Sequence, residues 1–399
     1  MATNRQPHAS LSRRRFLQAG AAVTGSALLA ACAGGGGARG GTSQPQSASS
    51  GGQGYVPDRV VKVGILSPVT GGFALAAVLN QAGMRHALKE YEQEGWRFEV
   101  IVEDDRGDPT TGLRAAQKLI ERDRVHFMLG PIVSSVALAV RDLCDQSKTI
   151  LSTSSAVARE LTGSRCSRYI WRSTPTSYMY GLGYGPWLAQ HLGKRAYVLT
   201  LDYTAGIEVA EAIMDGFRRH GGEIVGYAKA PLATTDFAPY MGPLLESRAD
   251  FVTGFIAGRN AIDALKAFHQ FGIKDRMAVA MGVAFTSNDI IDAQGPEATE
   301  GVYEYVEFSE SLDTPEYRAW AQLHHQWFPE VKRIAHFNAH GYTAAKSVLL
   351  GIERAGSLDP DRIAAAMEGL SWQAPHGPIA FGPNHQATIN MYITQVRDM

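Results

Sequence analysis

The chain has 399 residues with 38 basic and 39 acidic side chains, and this balance excludes the strongly basic surface typical of nucleic-acid-binding proteins. Apolar residues make up 45% of the sequence, which is ordinary for a globular protein. Because a single core rarely grows beyond roughly 250–300 residues, a chain of this length predicts two lobes.

The N-terminal segment indicates an export signal. The stretch "SRRRFLQAGAAVTGSALLAAC", from Ser12 to Cys32, places arginines before an apolar run that polar residues interrupt. That run is shorter than the about 20 residues that a membrane span requires. Its start resembles a twin-arginine signal, and its end resembles a lipobox, in which the cysteine is acylated. A weak anchor helix with a chance cysteine is the alternative.

We therefore expect residues 1–32 to be a lipoprotein signal with lipidation at Cys32. Residues 33–57 are rich in glycine and serine and have little apolar surface to bury, so they predict a flexible tether. The folded body would then lie on the periplasmic or cell-surface side of a bacterial membrane, attached through the lipid alone.

The first half of the body alternates strand and helix patterns. The strand patterns are Val60–Leu66, Phe98–Asp105, "VHFMLG" and "TILSTS". The helical patterns between them are Phe73–Glu94, Thr110–Asp123 and Ser134–Gln146. This alternation predicts a parallel sheet covered by helices on both faces.

The same alternation restarts after Trp171. Strand patterns are Arg195–Leu201, "EIVGYAKAPL", "DFVTGFIAG" and "RMAVAMG", and helical patterns are Ser177–Leu192, Ile207–His220 and Ala261–Phe271. The last third adds helices at Pro315–Trp327, His340–Ala355 and Pro360–Leu370, then short strands at Ile379–Phe381 and Ile389–Val396. The sequence therefore predicts two α/β units, each with its own sheet.

Two cysteines, Cys144 and Cys166, remain in the body of the chain. An even pair in an oxidising compartment predicts a disulfide, since disulfides persist there. Two buried free thiols are the alternative.

Hydroxyl groups follow three strands of the first unit. In open α/β sheets ligands bind beyond the carboxyl ends of the strands. "SPVTGGFA" places Phe73 there, "GPIVSSVA" places Ser134 and Ser135 at a helix start, and "LSTSSAV" adds Ser154 and Ser155. Free backbone N–H groups with hydroxyls at one point predict an anion pocket.

The strand ends of the second unit carry aromatic, apolar and a few polar groups, which suit a small ligand. The candidates are Tyr178, Asp202, Tyr203, Arg259, Met281 and Phe285. Arg259 could hold a carboxylate through two hydrogen bonds, although an arginine at such a position is more often a surface charge.

The sequence offers no catalytic set and no metal spacing. His336 and His340 stand four residues apart without a third ligand, and we interpret them as packing or surface residues. We expect no catalytic residue, no metal and no cofactor.

These segments in order resemble the type I periplasmic substrate-binding proteins of the branched-chain amino acid (Leu/Ile/Val) ABC transporter group. The resemblance covers the body and rests on "KVGILSPVTGGFA", "VEDDRGDPTTGLRAAQKLIERDRVHFMLGPIVSSVALAV", "GGEIVGYAKAPLATTDFAPYMGPL" and "GYTAAKSVLLGIERAGSLDP". It implies two Rossmann-like lobes joined by three hinge strands that close over a ligand. The expected first lobe consists of residues 58–175 and 306–375. The expected second lobe consists of residues 176–305 and 376–399.

The resemblance also assigns roles to particular residues. Ser134 matches the serine that holds the ligand carboxylate, and Ser155 matches a position whose backbone contacts the ligand. The family has a threonine that binds the amino-acid head group, and the matching position in this chain is Val157. The family also has a tyrosine in the second lobe, and the matching position here is Ala257. No acidic residue stands near "AMGVAF" to hold an ammonium group. Asp202 could still do so.

The sequence therefore predicts a substrate-binding protein that delivers a small carboxylate or amide to an ABC-type permease. A receptor for branched-chain or hydrophobic amino acids and a ligand sensor of the same fold are the alternatives. An amidase or esterase would need the nucleophile and base that the sequence lacks. We expect a monomer with no nucleic-acid partner.

Overall fold

The computed structural model describes residues 55–397, apart from the side chains of 288 and 289. The predicted export signal, Cys32 and most of the predicted tether lie outside the described residues. None of the helices within 55–397 has the length and apolar character needed to cross a bilayer.

The first lobe is built on a five-stranded parallel sheet. Its strands are β1 (Val61–Ser67), β2 (Phe98–Asp104), β3 (Phe127–Leu129), β4 (Ile150–Thr153) and β5 (Ile170–Arg172), in the order β2-β1-β3-β4-β5. Its first helices are α1 (Ala74–Gln93), α2 (Pro109–Gln117) and α3 (Ser134–Gln146). Strands β3 and β4 are buried throughout, as expected for a sheet covered on both faces.

The second lobe repeats the arrangement. Its strands are β6 (Arg195–Asp202), β7 (Glu223–Pro231), β8 (Phe251–Thr253), β9 (Ala278–Gly282) and β10 (Tyr303–Val306). Its helices are α4 (Ser177–His191), α5 (Thr204–Arg219), α6 (Ala238–Glu246), α7 (Arg259–Gln270), α8 (Asn288–Gln294) and α9 (Pro296–Thr299). Neighbouring strands from β10 to β7 are parallel.

The chain then returns to the first lobe. Helices α10 (Pro315–Trp327), α11 (His336–Ala355) and α12 (Pro360–Met367) are followed by β11 (Ser371–Ala374), β12 (Gly377–Phe381) and β13 (Ala387–Thr388). These three strands form a small antiparallel sheet. Finally β14 (Tyr392–Gln395) pairs antiparallel with β10 at the edge of the second sheet.

The lobe boundary expected at 376 differs from this topology. Ile379, Phe381 and Ala387 are buried in the same apolar cluster as β1, α1 and α11, so β12 and β13 pack on the first lobe. Only β14 joins the second sheet. Within the described residues the chain passes between the two larger sheets three times, at 173–176, 307–314 and 389–391.

Helices α1 and α11 cross at very short range. A Cβ on Gly83 would lie 1.9 Å from the carbonyl oxygen of Asn338, and a Cβ on Gly341 would lie 1.9 Å from that of Asn80. Only glycine permits this approach. The crossing fixes the start of α11, which faces the second lobe.

The predicted disulfide between Cys144 and Cys166 is wrong. Cys144 is a free thiol with no exposed surface, on the face of α3 that packs against the sheet. Burial raises the pKa of this thiol to about 12, so it stays protonated and unreactive. Cys166 lies in a partly exposed turn before β5.

Candidate functional site

A cleft lies between the lobes, where the carboxyl ends of strands from both sheets face each other. It is lined by Phe73, Ile132, Val133, Ser134, Ser155, Val157, Tyr180, Tyr203, Ala205, Phe255, Ala257, Val283, Ala284, His336, Phe337 and His340. About 430 Å³ of space within it is free of protein atoms, part of it open to solvent. The lining is mostly apolar and aromatic with a few polar groups, as in small-molecule sites.

Ser134 begins α3 at the edge of the cleft. Its Oγ accepts hydrogen bonds from the backbone N–H groups of Val157 at 3.0 Å and Ala158 at 3.2 Å. The hydroxyl is left with its own O–H to donate. Val133 at the N-cap has no side-chain cap, so the backbone N–H groups of the first turn also lack a helical partner. This corner of the cleft therefore presents hydrogen-bond donors and the positive end of a helix dipole.

Arg172 lies under the loop that follows β4. Its side chain is fully buried and donates to the carbonyl oxygens of Ala156 at 3.3 Å and Ala158 at 2.6 Å, and to Oε1 of Gln386 at 2.6 Å. Burial lowers the pKa of its guanidinium to about 9. The guanidinium fixes the carbonyl group of Ala156, so the N–H of Val157, on the other side of the same peptide, points at Ser134.

A buried hydrogen-bonded series of side chains begins at Ser155, in the same loop as Val157, and runs behind the cleft lining. Nδ1 of His340 lies 2.9 Å from Oγ of Ser155, and Nε2 of His340 contacts Oε1 of Glu307. Oε2 of Glu307 accepts from the hydroxyl of Tyr180 at 2.7 Å. Burial alone would raise the pKa of Glu307, but His340 and Tyr180 outweigh it and lower that pKa to about 2. Glu307 is therefore ionised, and both of its oxygens are occupied.

His336 stands one turn before His340, and the two rings are 5.3 Å apart. Burial, with a smaller contribution from His340, lowers the pKa of His336 to about 3. It is therefore a neutral imidazole that carries one donor and one acceptor nitrogen.

The second lobe contributes a strained turn after β9. Ala284 has φ of 72°, a conformation that costs a non-glycine residue about 1 kcal/mol or more. Glu304 holds this turn by accepting from the N–H of Phe285 at 2.8 Å and the hydroxyl of Thr286 at 2.8 Å. Burial raises the pKa of Glu304 to about 7. The turn places Val283 and Ala284 against the cleft.

The lobes also touch at the mouth of the cleft. The N–H of Arg259 donates to the carbonyl oxygen of Gly72 at 3.2 Å. The N–H of Arg159 donates to Oε2 of Glu208 at 2.9 Å, and Ser177 donates to the same oxygen at 2.6 Å. The bonds from Arg259 and Arg159 join the lobes in a closed arrangement, and the bond from Ser177 holds Glu208 within the second lobe.

A sequence profile of the periplasmic binding protein family matches residues 60–399. The chain belongs to the periplasmic binding protein family. Its two lobes and three crossings are the type I fold of that family, in which α/β lobes with parallel sheets flank one cleft. Membership implies an extracytoplasmic location.

Named relatives fall in two groups. Leu/Ile/Val-binding protein homolog 6 of Brucella melitensis is 26% identical over 350 residues, which are 84% of this chain and 87% of that protein. A solute-binding protein of an ABC transporter from Rhodopseudomonas palustris BisB5, solved with 3,4-dihydroxybenzoic acid, is 28% identical with a TM-score of 0.80. The match covers 85% of this chain and 94% of that one.

A third relative comes from Rhodopseudomonas palustris HaA2, where a solute-binding protein of an ABC transporter was solved with p-hydroxybenzoic acid. It is 25% identical with a TM-score of 0.80, and the match covers 86% of this chain and 94% of that one. Both Rhodopseudomonas relatives are solute-binding proteins of ABC transporters.

In this periplasmic binding protein, four of the residues predicted for the site line the cleft. They are Phe73, Ser134, Ser155 and Tyr203. Three of the four come from the first lobe, where the hydroxyls after β3 and β4 converge as the strand-end rule predicts.

The remaining predicted residues lie elsewhere. Asp202 is about half exposed and pairs with Lys229 at 3.2 Å, and Arg259 is exposed and pairs with Asp263 at 3.2 Å. Met281 and Phe285 are fully buried in the core of the second lobe. None of these four side chains is among the described residues that line the cleft.

The other three predicted residues, two from the first lobe and one from the second, also miss the cleft lining. Ser135 is half-buried on α3, and Ser154 is fully buried beneath the loop. Tyr178 borders a separate, open surface pocket with Arg159 and Asn384.

The sequence analysis missed the polar partners on α11. It interpreted His336 and His340 as packing or surface residues, but both line the cleft, and Glu307 lies directly behind them. Their spacing of four residues was the available signal, because it places both rings on one face of a helix. Tyr180, Phe255 and Phe337 were missed as well.

No group of three or more His, Cys, Asp or Glu side chains able to hold a metal occurs in the part of the chain that the structure describes.

Proposed function

We propose that this protein is the extracytoplasmic receptor of an ABC importer and binds a small aromatic carboxylate between its lobes. The observation that carries this proposal is the unequal polarity of the cleft. One corner has the donors of Ser134 and the start of α3, whereas no Asp, Glu, Lys or Arg is among the described lining residues.

The carboxylate end of the ligand fits the corner at Ser134. Since Oγ of Ser134 already accepts two backbone N–H groups, its O–H is available to a ligand acceptor. The unpaired N–H groups of the first turn of α3 add donors that suit an anion. A hydrogen bond to a charged group contributes about 1.5–3 kcal/mol.

An α-ammonium group would find no charged partner. Glu307 lies behind the lining histidines, and His340 and Tyr180 occupy both of its oxygens. Asp202 points away toward Lys229. A buried unpaired ammonium costs several kcal/mol, so the cleft disfavours an amino acid.

The walls of the cleft suit a flat apolar body. Phe73, Tyr203, Phe255 and Phe337 contribute rings from both lobes. Offset and edge-to-face ring contacts add about 0.5–1.5 kcal/mol each beyond burial. The two Rhodopseudomonas relatives, solved with dihydroxy- and hydroxybenzoic acid, support an aromatic acid as the ligand class.

A branched-chain or hydrophobic amino acid is the second candidate, and the name of the Brucella relative favours it. A ligand sensor of the same fold would have the same cleft. An amide without a charge would satisfy Ser134 through its carbonyl oxygen but gain less from the helix terminus.

A thermal-shift panel tests the ligand class. The purified protein is incubated with benzoate, hydroxybenzoates, benzamide, short aliphatic acids, leucine and valine. A ligand that binds only the folded state stabilises it by about 4 kcal/mol at a thousandfold excess over Kd. The proposal predicts the largest shift with a benzoate, and a larger shift with leucine than with any benzoate would refute it.

The cellular setting is part of the same proposal. Twin-arginine export, acylation at Cys32 and a flexible tether would hold a monomeric receptor at the membrane beside its permease. Labelling cells with an alkyne fatty acid tests this. The lipid should appear on the unaltered protein and be absent from Cys32→Ser, while Arg14→Lys combined with Arg13→Lys should block export.

A further inference from the structure

The described lining of the cleft has no side chain that is permanently positive. Neither arginine nor lysine is among the described residues that line it. Arg172 is the nearest buried guanidinium in the loop network, and backbone carbonyl groups and Gln386 take up its donors. An anion that enters this cleft therefore needs a countercharge from another source.

The hydrogen-bonded series of side chains that links Ser155 to Tyr180 leaves the protonation of one nitrogen, Nδ1 of His340, unfixed. Glu307 is ionised and accepts from the Tyr180 hydroxyl, so Nε2 of His340, which contacts its other oxygen, must carry a proton. Nδ1 of His340 faces Oγ of Ser155 at 2.9 Å, where either atom can be the donor. The protonation of this nitrogen decides the direction of that hydrogen bond.

The two directions give the cleft opposite properties. When Nδ1 is unprotonated, Ser155 donates to it, and only lone pairs of Ser155 remain for the ligand. When Nδ1 carries a proton, it donates to Ser155, and the Ser155 hydroxyl is free to donate to a ligand. The second arrangement also cancels the charge of Glu307, which would otherwise repel an anion in the cleft.

We propose that this receptor binds a carboxylate together with one proton, which His340 takes up on Nδ1 so that the Ser155 hydroxyl turns toward the ligand. This inference rests on the proposed function. The proton comes from the buffer and forms one N–H bond, and no covalent bond breaks. His340 acts as a positioning residue through Ser155, and it makes the cleft select carboxylates over uncharged isosteres.

Other titratable groups face the same network and must be distinguished from His340. Burial lowers the pKa of His336 to about 3 and that of His376 to about 4, so both are neutral in the pH range of interest. Glu304 is different, because burial raises its pKa to about 7. It contacts Phe285 and Thr286 rather than His340. The Glu304→Gln variant removes this second source of protons.

Isothermal titration of the full protein in buffers of different ionisation enthalpy counts the protons taken up. Benzoate and benzamide are compared at unit steps from about pH 6 to about pH 9. We expect uptake approaching one proton with benzoate in at least part of this range, and none with benzamide. The affinity for benzoate should fall by up to about tenfold per pH unit where uptake is complete.

Comparing variants identifies the residue that takes up the proton. Uptake should persist in Glu304→Gln and in His191→Gln, a matched change at an exposed histidine of α4 outside the cleft. It should disappear in His340→Gln and weaken in Ser155→Ala, which keeps the contact between His340 and Glu307. The proton count of the unaltered protein is decisive even if His340→Gln does not fold.

The failures of the two proposals differ. If benzoate binds with no proton uptake at any pH tested, the coupling is refuted and the proposed function stands. If uptake persists in His340→Gln, the assignment to His340 is refuted. If benzoate does not bind at all, the proposed function itself is refuted.

Discussion

The hydroxyl oxygen of Ser134 accepts a hydrogen bond from the backbone N–H of Val157 at 3.0 Å. This bond joins the start of α3 to the loop after β4, so two strand ends form one rigid corner. The corner presents the donors of one helix terminus to the cleft. Only the backbone of Val157 takes part in the bond.

Replacing Ser134 by alanine should weaken the binding of benzoate by about 10- to 100-fold, because a hydrogen bond to a charged group is lost. The free energy of unfolding should also fall by about 1–3 kcal/mol, since the buried N–H groups of Val157 and Ala158 lose their acceptor. Calorimetry and urea unfolding measure the two effects. Ser135→Ala, on the same helix but outside the cleft lining, is the control, and equal affinity of both variants would contradict the role of Ser134.

Replacing Asp202 by asparagine should leave the affinity for benzoate within about twofold. Its carboxylate is about half exposed and pairs with Lys229, and such surface pairs contribute about 0–1 kcal/mol. Fluorescence titration checks this. A loss of affinity for leucine in Asp202→Asn, together with measurable leucine binding by the unaltered protein, would instead show that Asp202 holds an ammonium group.

Replacing Gly258 by valine should hinder closure of the lobes. Gly258 has φ of 61°, and a Cβ there would lie 3.0 Å from the carbonyl oxygen of Gly72 and 3.2 Å from the ring of Phe73, both on the other lobe. The apparent affinity falls in proportion to the closed fraction, and we expect a loss of about tenfold or more. X-ray scattering should show that the ligand no longer compacts the variant. Gly242→Ala, at a position with no atom within 4 Å of the added Cβ, should close normally.

Glu304 should make stability depend on pH. Its pKa is about 7 in the folded protein and 4.5 as a model carboxyl. Between these values the folded state holds a proton that the unfolded state has lost, so the free energy of unfolding falls as the pH rises. The slope from this group is at most about 1.4 kcal/mol per pH unit. Urea unfolding of Glu304→Gln should show a flatter profile between about pH 5 and about pH 7, and an unchanged slope would contradict this origin.

The sequence patterns predicted the order of the long helices and of most strands, but they missed several short strands, among them β5 and β10. β5, with three residues, and β10, with four, are too short for a periodic pattern, and their pairing across the sheet defines them. Similarly, β12 and β13 pack on the first lobe because long-range apolar contacts hold them there. Such contacts are invisible to local periodicity.

The site was predictable where a strand end alone sets the direction of a side chain. Ser134 and Ser155 follow buried strands and face the cleft. Asp202 and Arg259 also lie at strand ends, but their side chains form exposed ion pairs. A shift of one or two residues along the chain changes whether a side chain at a strand end faces the cleft or solvent, and the sequence pattern does not resolve such a shift. His340 could not be placed from the sequence, because the glycine-mediated crossing of α1 and α11 sets its direction.

Calorimetric titration of the purified protein with benzoate and with leucine tests the central claim most directly. The account predicts that benzoate binds at about micromolar Kd or tighter and that leucine shows no binding at about 1 mM. The reason is that the described lining of the cleft has donors for a carboxylate and no acidic side chain for an ammonium group. Tight binding of leucine with none of benzoate would contradict the account.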